Sequence, residues 1–181
     1  MPGSLTIFKK GLILVSVPLL FQLTLIGLFA DLQWRNNDAE AWSLHSKEVL
    51  RQGQGVFTKL AIAETAERGF VVTEDPAFAA SYEDAARDAP GDLQRLQDLV
   101  RDNPGQETWA GRIAAKAQAF LAWHTGVLDL ARAGARDEAV ARIKTLQGKA
   151  RMDELRGEVD GFLAEEGRLD EERRLALDDS Q

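Results

Sequence analysis

Residues Ala41–Pro76 read AWSLHSKEVLRQGQGVFTKLAIAETAERGFVVTEDP. Trp42, Val49, Val56, Ala63 and Phe70 recur at every seventh place, with Leu50, Phe57 and Val71 one step later. Leu60 lies four residues beyond Val56, on the same side. A seven-residue apolar repeat held over four intervals belongs to a helix packed along its length. Apart from Pro18, no proline or turn cluster separates Gly11 from Thr73, so the repeat predicts one continuous helix, weakened locally by Gly53 and Gly55. It stops at Thr73-Glu74-Asp75-Pro76, where Asp75 suits an N-cap and Pro76 the first position of a new helix.

Upstream of the repeat, residues 11–30 read GLILVSVPLLFQLTLIGLFA, without a formal charge. At about 1.5 Å per residue such a helix reaches roughly the 30 Å thickness of a bilayer's hydrocarbon core. Ser16, Gln22, Thr24 and Pro18 are tolerable in a span. A cleaved signal peptide is the rival reading. The run is longer than a signal's apolar region, and Leu28-Phe29-Ala30 makes a poor small-x-small site, so an uncleaved anchor is favoured. Lys9 and Lys10 precede the run and Asp31 follows it. The positive-inside rule then puts residues 1–10 in the cytoplasm and 31–181 outside the membrane.

Downstream, Leu93, Leu96, Leu99 and Val100 mark a second helix, from Pro76 to about Arg101, that Pro90-Gly91-Asp92 threatens to break. Asp102-Asn103-Pro104-Gly105 is a turn. A third helix runs from about Gln106 to Ala133 with Ile113, Ala117, Phe120, His124, Val127 and Ala131 on one face. After Gly134, with Asp137 as cap, a fourth runs to Leu177 along Met152, Leu155, Val159, Phe162, Glu166 and Leu169. Gly148 marks a possible phase change, because Val140 and Ile143 fit that stripe less well. The fold predicted is all-α: one transmembrane helix continuing into an up-down-up-down four-helix bundle over 31–177. The tail 178–181 is expected to lead to a second span.

Composition narrows the chemistry. The 181 residues contain no cysteine, which removes thiolate nucleophiles and Cys-ligated metals. All 29 acidic residues and all but two of the 22 basic ones lie from Asp31 onward, so that part carries net −9 and repels nucleic acid. His45 and His124 are far apart, and no metalloprotease, Walker, dinucleotide-binding or nucleophile-elbow pattern occurs. The expectation is no catalytic residue, no metal and no cofactor. Glu64 and Arg68 form the favourable acid-first i,i+4 pair, with Glu67 read as solvated. Gly69 would admit a neighbouring helix. The residues Glu64, Thr65, Arg68, Gly69, Trp123 and His124 are therefore a candidate polar clasp or ligand site. His124 reads foremost as a core histidine with one hydrogen-bond partner. Trp109 and Trp123 are read as packed side chains, and Glu166 as a buried carboxylate for which Arg68 is one candidate partner.

The stretch AETAERGFVVTEDPAF, Ala63–Phe78, also resembles the signature of the third subtype of CHASE domain, a sensory domain associated with cyclases and histidine kinases. The resemblance rests on Ala63, Glu64, Thr65, Arg68, Gly69, Phe70, Thr73, Asp75, Pro76 and Phe78, then Tyr82. It continues through DNPGQ from Asp102, GKARMDELR from Gly148 and the pair Glu165-Glu166, spanning about 40–174. Ile62 departs from it, standing where the family often has an acid. The resemblance implies an extracytoplasmic bundle of a membrane receptor, usually dimeric, upstream of a histidine kinase or diguanylate cyclase. Expected partners are thus lipid through 11–30, a second copy of the chain and an unidentified stimulus. The expected location is a bacterial cytoplasmic membrane with the bundle in the periplasm or outside the cell. The alternative is a membrane-tethered adaptor that binds a partner protein and senses nothing.

Overall fold

The seven-residue repeat becomes one unbroken helix. In a computed structural model the described residues are 7–178, with the side chains at 7–11, 13, 17, 30–32, 34–40, 177 and 178 outside the described set. Helix α1 spans Ile7–Thr73, α2 Pro76–Leu99, α3 Pro104–Arg132, α4 Arg136–Lys144 and α5 Gln147–Asp178. No strand occurs among the described residues. The chain divides into two compact units, one of residues 44–172 and one of 1–43 with 173–181.

The larger unit is a four-helix bundle. Its core draws Val49, Val56 and Leu60 from α1, Leu93 and Leu96 from α2, Ile113, Ala117 and Phe120 from α3, and Met152, Leu155, Val159 and Phe162 from α5. Cross-links fix the directions. Gln52 donates to the Asp92 carbonyl, whereas Gly69 lies under Phe78, so α1 and α2 are antiparallel. Tyr82 meets Leu121, whereas Gln97 lies beside Gly111, so α2 and α3 are antiparallel. Trp109 packs on Gly161 and Trp123 on Gly148, and Gly53 meets Leu163, so α5 runs against both α3 and α1. That is the expected up-down-up-down order.

Turn chemistry explains the corners. Glu74 takes φ of 60° and closes α1 by donating its N–H to the Phe70 carbonyl at 2.7 Å. Asp75 caps α2 by accepting from the Ala77 N–H at 2.9 Å, with Pro76 in the first turn. Asn103 caps α3 by accepting from the Gly105 and Gln106 N–H groups, again ahead of a proline. Each cap satisfies amides that a helix start leaves open.

Three expectations are corrected. Helix α2 runs through Pro90 without a break. A helix-interior proline costs about 3 kcal/mol, but Ala89 and Leu93 on either side are fully enclosed by α1 and α3 and hold the helix in line. The predicted fourth helix is two. Leu146, at φ of 60°, interrupts the helix between α4 and α5, and Val140 and Ile143 pack around Trp123, Val127 and Ala139 in a cluster of their own. That explains why they miss the later stripe. Asp137 is not the cap of α4; Ala135 holds that position with no side-chain bond, and Asp137 lies in the first turn.

In the smaller unit, the described side chains between Leu12 and Phe29 are mostly exposed, with the large apolar ones 48–76 % accessible. The Arg173 guanidinium lies 4.7 Å from the centre of the Trp42 ring. Taken over the described residues alone, no helix is long and apolar enough to cross a membrane. The expected span, 11–30, includes Gly11, Ile13, Val17 and Ala30, whose side chains lie outside the described residues.

Candidate functional site

The six candidate residues do not form one site. Glu64 and Arg68 pair along α1 at 2.5 Å, with the arginine side chain half exposed and the glutamate side chain mostly enclosed. Such a pair contributes a few tenths of a kcal/mol. Thr65 is exposed, and its hydroxyl donates back to the Ala61 carbonyl at 2.8 Å. It also lines a groove of about 290 Å³ with Thr58, Ile62, Phe78 and Ser81. Gly69 is a packing residue, since a Cβ there would sit 2.6 Å from Phe78 Cδ1. Trp123 and His124 instead face inward from α3 and are buried.

The residue that meets His124 is Glu67, expected to be solvated and in fact wholly buried. Its Oε2 lies 3.0 Å from His124 Nδ1 across the bundle diagonal. The imidazole is held between rings. Phe120 is 4.2 Å away, centre to centre, and Trp123 stands edge-on at 4.7 Å. Gly148, at the start of α5, leaves room for that stack; a Cβ would lie 2.5 Å from Trp123 Cζ3 and 3.3 Å from His124 Cε1. Glu67 Oε1 and His124 Nε2 have no partner. All four packed helices therefore converge here, because α2 contributes Tyr82 nearby. The Tyr82 hydroxyl donates to the Leu121 carbonyl at 3.0 Å and lies 2.8 Å from Thr125 Oγ1.

Burial pushes the Tyr82 phenol above its ordinary value, the charges of Glu67 and Asp129 add to that, and the bond to Thr125 opposes it. A raised phenol favours the neutral form in the fold. Its contribution is complete below the unfolded value, about 10, and is lost as pH rises through the folded one. Tyr82 is the chain's single tyrosine, so absorbance at 295 nm reports it alone. Alkaline titration of the folded protein is expected to show a midpoint above that of a free tyrosine. Glu67→Gln should lower that midpoint, and an unshifted wild-type midpoint would contradict the enclosure described.

A second polar layer lies toward the other end of the bundle. Glu166 is buried, as its interruption of the apolar stripe suggests, but Arg68 is not its partner. Ser46 Oγ donates to Glu166 Oε1 at 2.7 Å, and Gln106 Nε2 donates to Oε2 at 3.3 Å. This layer ties α1, α3 and α5. Trp109 packs edge-on against Phe162, ring centres 6.5 Å apart, and Trp123 packs in the core, as read from the sequence. Among the described residues no group of three or more metal-ligating side chains comes together.

Both layers join helices that are far apart in sequence. The Glu67 carboxyl and the His124 imidazole have only 0–1 % of their side chains accessible. A model of the CHASE3 domain matches residues 39–175. The chain belongs to the CHASE3 domain family. Among solved structures, this CHASE3 domain is similar to the sensor domain of the Rhodopseudomonas palustris histidine kinase HK9. The match has 23% identity and a TM-score of 0.58, and covers 72% of this chain and 98% of that one. At that identity the likeness bears on the fold alone. No curated protein matches the chain.

Proposed function

We propose that this CHASE3 domain is the sensory input module of a membrane-bound receptor. In this reading residues 11–30 anchor it in a cytoplasmic membrane, and Lys9 and Lys10 stay on the cytoplasmic side. The bundle stands outside as part of a homodimer, and an unidentified stimulus is passed inward by movement of α1 to a histidine kinase or diguanylate cyclase output. The observation that carries the proposal is the continuity of α1. One helix, Ile7–Thr73, holds both the exposed apolar run and the first stave of the bundle. Contiguous exposed Leu, Ile, Val and Phe side chains along a helix are stable in lipid and costly in water. Family membership over 39–175 supports the sensory role. A stimulus acts on such a device only by favouring one helix arrangement over another.

The test uses the full-length receptor. Replacing Arg35–Asn37 by a Gly/Ser segment should leave the melting temperature of the bundle within a few degrees of wild type and remove control of the output enzyme. Output that keeps its wild-type level and responsiveness would sink rigid transmission through α1.

A further inference from the structure

Most arginines and lysines of the bundle stand beside a carboxylate, as Arg51 does beside Glu48, Lys59 beside Asp92, Arg112 beside Glu158, Arg132 beside Glu83 and Arg168 beside Glu165. Such neutralisation is expected in a chain with excess acid. The segment 141–152, ARIKTLQGKARM, concentrates cations without acid: four cations and no acid within twelve residues. Lys149 reaches forward to Asp153. Arg142, Lys144 and Arg151 have no carboxylate partner among the described residues. Arg142, from α4, and Arg151, from α5, both turn to a single indole. Their guanidinium carbons lie 5.7 Å and 5.8 Å from the centre of the Trp123 ring.

That indole fixes the two cations. Trp123 is 7 % accessible and locked against Gly148 and His124, so it does not move to suit them. Arg151 is held further by donating to the Gln147 carbonyl at 3.2 Å. A guanidinium carries five N–H donors in a rigid plane, matched in shape to carboxylate and phosphate oxygens. The Arg142 guanidinium also packs against Gly126 of α3, which seats it further. Two planar cations are thus held beside one rigid ring, in a stretch without compensating acid. Leaving them unpaired has no structural benefit, because an acid at a neighbouring surface position would lower local repulsion.

We propose that the α4–α5 corner is a binding site for a small doubly charged oxyanion, a dicarboxylate or phosphate, held between Arg142 and Arg151 over the Trp123 edge. The proposal rests on the sensory reading only for its biological purpose, since binding itself can be measured without any output. At this corner the anion would link α4 to α5 directly beside the Glu67–His124 pair, where all four packed helices meet.

The test follows intrinsic tryptophan fluorescence and melting temperature of the full chain in detergent micelles. Succinate and inorganic phosphate are titrated separately, at constant ionic strength held with chloride because bulk salt screens exposed charge. Saturable binding of one of the two is expected. Arg142→Gln with Arg151→Gln should weaken it by about tenfold or more, as loss of charge-assisted bonds implies. Lys47→Gln, at a cation far from Trp123 in sequence, is the control and should leave binding unchanged. Circular dichroism checks that the double variant keeps its helix content. Neither anion binding saturably would overturn the proposal, as would equal binding by wild type and the double variant. Binding without any change in output would leave the site in place and remove its sensory meaning.

Discussion

His124→Ala is expected to destabilise the bundle by about 3–5 kcal/mol, the combined cost of a buried polar group left without its partner and of a cavity opened in the core. The reason lies on the other side of the bond. Glu67 is wholly buried, and its Oε2 has His124 Nδ1 as its hydrogen-bond partner at 3.0 Å. Its Oε1 already lacks one. Deleting the imidazole leaves a carboxyl group with both oxygens unmet inside an apolar core, and also opens a void between Phe120 and Trp123. Unsatisfied buried polar atoms and cavities add their costs. Replacing both partners with apolar groups of similar shape, Glu67→Leu with His124→Phe, should recover most of the loss. A double-mutant cycle in thermal or urea unfolding measures that coupling. Additive single effects, with no recovery in the double variant, would show that the pair is not what sets the cost.

The same pair marks where the sequence could be read and where it could not. The bundle was legible because its apolar stripes are long, and Val49, Val56 and Ala63 do face the core. The seven-residue count from Trp42 also carried Phe70, which is only half-buried, while Leu60, seven before Glu67, is completely enclosed. Following that second track from Leu60 places Glu67 in the core. A carboxylate is usually on the solvated face, and that expectation overrode the spacing. The partner across the bundle diagonal is 57 residues away, so nothing local announces it. Glu166 shows the same limit: its burial could be read from the stripe, but not its bonds to Ser46, 120 residues earlier, and to Gln106. Arg68 shows the opposite case: its partner is the adjacent-turn Glu64, which the acid-first i,i+4 spacing does indicate. The break between α4 and α5 left one local sign, the change of phase near Gly148. The interruption itself sits at Leu146, a residue whose type gives no hint of positive φ.

Two glycines with similar close contacts should respond very differently to alanine. Gly69 and Gly148 both lie in helices, and both have an aromatic ring where a Cβ would go, at 2.6 Å for Phe78 and 2.5 Å for Trp123. Alanine in a helix interior gains about 1 kcal/mol over glycine from chain entropy alone. At position 69 the obstructing ring is at the surface, with Phe78 37 % accessible, so it can swing toward solvent. Gly69→Ala is expected to change stability by less than about 1 kcal/mol in either direction, as the two effects offset. At position 148 no such escape exists. Trp123 is enclosed by Val71, Val127 and Ala139, and His124 Cε1 stands 3.3 Å from the same point on a ring that already bonds Glu67. Moving the indole would also disturb the seat of Arg142 and Arg151. Gly148→Ala should therefore cost about 2–3 kcal/mol from overpacking, and Gly148→Leu more. Both variants are read by urea unfolding with circular dichroism. A Gly148→Ala protein as stable as wild type would mean that the Trp123–His124 stack yields easily, and the rigidity on which both buried pair and arginine seat depend would be lost.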